Sequence, residues 1–208
     1  MESESLSKKI RELNFVALDL EATYSKPLSR HEIIEIGACK LAPLTLEIID
    51  SYETLVRPIC RIIPPIKQKT GITDEMVAKA RLISEIWSEF LNFLQDAILI
   101  VYKTIDIGIL DRTAKAYKLP PLKNSFFDIF KLVKKVYPNE PSYSLEHFQK
   151  LLKISITSHR AGADAYVTAL LFKHLIEILE EKYRIFTYKE LLNFCYPEFS
   201  NVNQKKLF

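Results

Sequence analysis

Phe15-Val16-Ala17-Leu18-Asp19-Leu20-Glu21-Ala22 decides the architecture of this chain. The segment is rich in strand-forming residues and too short for a core helix, so it reads as a strand over 13–22. Downstream, Pro27 and polar neighbours mark a loop over 24–30, and 32–41 is a second strand. Pro43 opens a turn, 46–56 is a third strand, and Pro58 lies just beyond it. Three strands in succession with short joins form an antiparallel meander.

After Val56 the period changes. A Pro- and Lys-containing connection covers 62–71, and Thr73-Asp74-Glu75-Met76 has the cap and first-turn acids of a helix start. An amphipathic helix over 84–94 carries Ile86, Trp87, Phe90 and Leu94 on one face. Strand 97–102 and helix 106–119 follow, closed by Pro120-Pro121. A short strand at 126–128 runs into a helix through Val136; further helices are predicted over 144–152, 162–182 and 188–194. Antiparallel strands followed by strand–helix alternation predict an α/β fold, with a mixed sheet flanked by helices. No internal repeat or domain linker interrupts it.

Composition narrows the chemistry. Hydrophobic residues make up 48% of the 208, which excludes a disordered chain. Only four glycines are present, and neither GxxxxGK[ST] nor GxGxxG occurs, which argues against an ordinary NTPase or a dinucleotide enzyme. The net charge of +3 permits a polyanionic partner without demanding one. Cys39, Cys60 and Cys195 are odd in number and form no CxxC, so neither a disulfide framework nor a zinc site is expected. No apolar run reaches the length of a membrane span, and Met1-Glu2-Ser3-Glu4-Ser5 is unlike a signal sequence; a reducing, cytoplasmic setting is expected.

Four acids and a histidine stand out. Asp19 and Glu21 share one strand face with Phe15 and Ala17, so a side that begins as core ends in two carboxylates. DxE is also what a solvated strand end shows. Asp106 heads a helix stripe with Ile109, Leu110, Thr113 and Tyr117, where dipole stabilisation alone would account for it. Asp164 heads the apolar stripe Val167, Leu171, Leu175 and Ile178, where an acid needs a partner. His159 lies in the lead-in to that helix, where an imidazole could accept a proton from water. Carboxylates gathered on core-facing positions repel one another unless cations neutralise them. Such a cluster is what two-metal phosphodiester cleavage requires.

Taken in order, the segments resemble a known family. Phe15–Thr23 with Glu32-Ile33-Ile34-Glu35-Ile36-Gly37-Ala38 resembles the first motif of the DEDDh exonucleases, the DnaQ-like 3′→5′ family. Thr70-Gly71-Ile72-Thr73-Asp74-Glu75-Met76 resembles its TGIT segment, and Ile105-Asp106-Ile107-Gly108-Ile109-Leu110 its second motif. Tyr143-Ser144-Leu145-Glu146 and His159-Arg160-Ala161-Gly162-Ala163-Asp164-Ala165 resemble the third. The resemblance implies a ribonuclease-H-like mixed five-stranded sheet flanked by helices. It implies Asp19, Glu21 and Asp164 as direct ligands of two Mg²⁺ or Mn²⁺ ions, with Asp106 on the second ion and His159 as general base. Thr23 would lie near the terminal nucleotide, and Tyr102 could stack on a base. Val101, Tyr102 and Ile105 replace the usual His-Asn and Phe of the second motif, and Tyr24 stands where many members have Gly.

The implied reaction releases nucleoside 5′-monophosphates from single-stranded 3′ ends, DNA in proofreading or repair being favoured. Leu20-Glu21-Ala22-Thr23 and His31–Glu35 are also similar to Eri1-type RNA exonucleases, which leaves an RNA 3′ end as an alternative. A non-catalytic nucleic-acid-binding replication adaptor is a third reading. Gln204-Lys205-Lys206-Leu207-Phe208 resembles the QxxLF-type peptide that docks on the sliding clamp, so Gln204, Leu207 and Phe208 are candidate partner contacts and a replicative polymerase a candidate partner. The expected organisation is a tail over 1–12, an exonuclease domain over 13–196 and a C-terminal tail over 197–208.

Overall fold

A computed structural model describes residues 6–156 and 159–197. The meander appears as β1 (Phe15–Ser25), β2 (Arg30–Leu41) and β3 (Ile48–Leu55), followed by β4 (Ile98–Val101) and β5 (Phe126–Asp128). The five strands form one sheet in the order β3-β2-β1-β4-β5. β1 pairs antiparallel with β2, which pairs antiparallel with β3; β1 and β4, and β4 and β5, are parallel. The central strands are almost wholly buried, as the apolar runs require.

Helices cover both faces. In chain order they are α1 (Pro64–Thr70), α2 (Asp74–Ala78), α3 (Ile83–Leu94), α4 (Ile105–Tyr117), α5 (Ile129–Val136), α6 (Leu145–Leu151), α7 (Ala161–Ile178) and α8 (Tyr188–Cys195). The two-residue period of β1 sorts its side chains between the layers. Phe15 and Ala17 pack with Phe172, Ala165 and Ala169 of α7. Val16, Leu18 and Leu20 pack with Ile86, Trp87 and Phe90 of α3 and Leu110 of α4. Trp87 is 1% exposed, and its indole N–H donates to the Pro120 carbonyl at 2.9 Å.

Three expectations change. The connection over 62–71 contains α1. Its two prolines sit in the first helical turn, where a missing N–H costs nothing, and Gly71 ends the helix at φ 72°. The first twelve residues include packed structure: Ile10 is fully buried, its N–H donates to the Phe186 carbonyl at 2.8 Å, and Arg11 grips both oxygens of Glu180 at 2.7 and 2.8 Å. Leu6, Ile10 and Leu13 stand at i, i+4 and i+7 and join one core cluster, so a short apolar stripe among the charged residues marks this anchor, while its partners near residue 180 leave no local sign. The helix expected over 162–182 ends as α-helix at Ile178 and closes with a wider π turn over Leu179–Tyr183.

Candidate active site

Asp19 and Glu21 flank the middle of β1, paired in register with Gly37 and Glu35 of β2. A bulge follows at Glu21/Ala22, where the pairing shifts by one residue. α7 crosses the same face, and Gly37 is what lets it come close: a Cβ there would lie 2.1 Å from the Ala161 carbonyl carbon. Asp164 stands in the first turn of α7. Asp19, Glu21 and Asp164 can each offer a carboxylate oxygen such that all lie within 4.8 Å of one another. Asp106, in the first turn of α4, lies outside this triplet, yet it is the neighbouring charge acting most strongly on Asp19.

A match to a family decides what this face belongs to. The family model described as "Exonuclease" (RNase T) matches residues 16–172, which include all four acids and His159. The chain belongs to the exonuclease family. The epsilon subunit of DNA polymerase III from Aquifex aeolicus is 32% identical over 197 residues, 92% of this chain and 96% of that protein. The PolC-type DNA polymerase III of Caldanaerobacter subterraneus is 33% identical over 169 residues, 80% of this chain. The chain spans only 12% of the length of that polymerase. Among solved structures, the nuclease domain of 3′hExo, a DEDDh family member bound to rAMP, superposes with a TM-score of 0.68 at 19% identity, covering 86% of this chain and 97% of that one. This is an exonuclease domain related to the epsilon subunit, with a ribonuclease-H-like fold that it shares with 3′hExo.

The exonuclease acids are held against their preference for water. Burial, then the charges of Asp106, Asp164 and Glu21, pushes the Asp19 carboxyl well above the usual carboxylate range. Asp106 is raised to about 7, by burial first and Glu21 second. Burial also raises Glu21, opposed mainly by Lys69, whose ammonium lies 3.8 Å from the Glu21 carboxylate. Asp164 is raised by burial and partly relieved by the His159 N–H, which donates to it at 3.3 Å. A hard-oxygen donor set crowded beyond what one half-exposed lysine neutralises fits a divalent cation. Exonucleases of this family depend on divalent metal.

His159 has φ 66°, the left-handed region that histidine enters more readily than most residues. The next two residues fix it. The Arg160 guanidinium clasps Glu35, with its Nε 2.9 Å from one carboxylate oxygen, and the Ala161 N–H donates to the other at 2.8 Å. Glu35 is fully buried. Sequence reasoning gave no role to Glu35, Arg160 or Lys69. Glu35 did carry a signal, an acid inside the apolar run Ile33-Ile34-Glu35-Ile36, but its partner is 125 residues away.

Thr23 and Tyr102 occupy enclosed positions. Thr23 is fully buried and its hydroxyl accepts from the Ile63 N–H at 3.0 Å, tying β1 to the segment that enters α1. Tyr102 is 9% exposed, donates its hydroxyl to the Tyr143 carbonyl at 2.8 Å and meets the Phe130 ring edge-on at 5.8 Å. With so little of it open to solvent, it is placed as a core residue. Gln204, Leu207 and Phe208 lie outside the described residues.

Proposed function

We propose that this exonuclease removes nucleoside 5′-monophosphates from single-stranded 3′ ends in a metal-dependent reaction, with DNA as the favoured substrate. The convergence of Asp19, Glu21 and Asp164 within 4.8 Å, on elements far apart in the chain, carries the reading. Those three would hold one Mg²⁺ or Mn²⁺ ion, and Asp106 a second. When bound, the cations supply Lewis acidity, neutralising charge that gathers on the phosphate and on the departing oxygen. His159 takes the proton of the attacking water as its oxygen joins phosphorus; the P–O3′ bond breaks and the shortened strand keeps its 3′ oxygen. Arg160 and Glu35 keep the His159 backbone in register with Asp164. In this scheme Thr23 supports α1, and Tyr102 stays within the core.

The DNA preference follows the polymerase III relatives; the structural likeness to 3′hExo, described with rAMP, makes RNA the alternative. The test is parallel digestion of 3′-labelled DNA and RNA single strands of one sequence, with Mg²⁺ or Mn²⁺. Mononucleotides released faster from DNA are expected. Release from RNA alone transfers the assignment to RNA trimming, and no release from either removes the catalytic reading in favour of a binding adaptor. Gln204, Leu207 and Phe208 are proposed to dock on a sliding clamp beside a replicative polymerase. Equal clamp recovery with and without residues 204–208 would discard that contact. Three free thiols suit a reducing, cytoplasmic setting, and among the described residues no helix is long and apolar enough to cross a membrane.

A further inference from the structure

α5 takes no part in the acid cluster, and its outer face has one composition: the exposed residues are Lys131, Lys134 and Lys135. Beside them are two partly exposed rings, Phe130 and Tyr143, 6.4 Å apart and edge to face, each partly packed on the core cluster. The Lys134 ammonium lies 5.4 Å from the Phe130 ring centre and 5.6 Å from that of Tyr143. A fourth exposed lysine, Lys103, reaches the Phe130 ring at 5.1 Å from the loop after β4. Asp128, at the foot of α5, is 8% exposed and accepts N–H groups from Lys103 and Phe130, so it holds the two segments together while presenting little charge outward.

The placement ties this surface to the acids. Val101 pairs with Leu18, one residue before Asp19, so Lys103 leaves the sheet at the edge where the carboxylates stand, three residues ahead of Asp106. Lysines interleaved with aromatic rings suit a chain of phosphates and bases. The phosphates neutralise the ammoniums, and a base can take the place of an ammonium over a ring. An acidic protein surface would use the charge and leave the rings without a role.

We propose that this surface binds the single strand upstream of the terminal nucleotide, with Phe130 and Tyr143 stacking bases and Lys103, Lys131, Lys134 and Lys135 neutralising phosphates. The inference rests on the exonuclease reading and specifies how that site receives its substrate. The experiment uses the full chain, as wild type, the triple variant K131Q/K134Q/K135Q and Phe130→Leu. Anisotropy of a labelled twelve-nucleotide DNA strand in EDTA gives affinity across a salt series. Hydrolysis of thymidine 5′-(p-nitrophenyl phosphate), too small to leave the acid cluster, is followed with Mn²⁺. In the triple variant affinity should fall at least about tenfold, and the slope of log affinity against log salt should shrink by about 2, at roughly 0.7 per phosphate contact. Phe130→Leu should keep the slope and lose about fivefold to a hundredfold in affinity. Both should hydrolyse the small ester at the wild-type rate. Unchanged strand affinity in either variant, as an acidic protein occupant would give, overturns the proposal; so does parallel loss of ester hydrolysis. Wild-type protein inert toward both ester and strand would instead strike at the exonuclease reading.

Discussion

At Asp106 the folded chain keeps a proton that the unfolded chain gives up, because its carboxyl is raised from 3.8 to about 7. Between those values the native state binds more protons, so stability falls as pH rises and levels off above about 7. The loss is on the order of 2–4 kcal/mol for this group alone, and the raised carboxyls of Asp19, Glu21 and Asp164 act in the same direction. Urea unfolding in EDTA should therefore show a more stable protein at pH 5 than at pH 7.5, and Asp106→Asn should flatten the difference. Added Mn²⁺ should reverse the trend by favouring the ionised carboxylates. His159→Ala should bind Mn²⁺ by calorimetry like wild type and lose about 10²–10⁴-fold in the rate of strand digestion. At this scale the sequence was informative wherever an acid broke an apolar pattern: Asp19 and Glu21 by the two-residue strand period, Asp164 by its helix stripe. It was silent on Lys69, an ordinary lysine until folding brings it 3.8 Å from Glu21.

The elements meet most tightly where α7 begins on β2. A Cβ on Gly37 would meet backbone at 2.1 Å, which cannot yield without moving the helix that carries Asp164. Gly37→Ala should destabilise by about 3 kcal/mol or more and weaken Mn²⁺ binding, as read by urea unfolding and calorimetry. Gly162→Ala first meets the Glu53 side chain, its carboxylate at 2.3 Å, which is 54% exposed and can swing away. Helix propensity favours the alanine, so stability should stay within about 1 kcal/mol of wild type. The strand–helix alternation was legible because β1, β2 and β4 are apolar runs bounded by turn residues. The helix over Pro64–Thr70 was not, since two adjacent prolines read as a break until their place in the first turn is seen.

Across the whole molecule, residues 9–11 close on residues 180–187. Lys9 bridges Thr187, Ile10 is buried in the same cluster as α7 and α8, and Arg11 pairs with Glu180. Ile10→Ala should cost about 2–4 kcal/mol in urea unfolding, far more than an unanchored tail would allow. These are contacts between residues about 170 positions apart, which local pattern cannot disclose. Trp87, the sole tryptophan, belongs to the α3 layer, opposite the layer formed by α7. Its indole is shut away from solvent, so its emission should sit at short wavelength and resist quenching by iodide. The protein thereby carries an optical gauge of its own integrity: denaturation should redden the signal, while loading the carboxylates with Mg²⁺ should leave it steady.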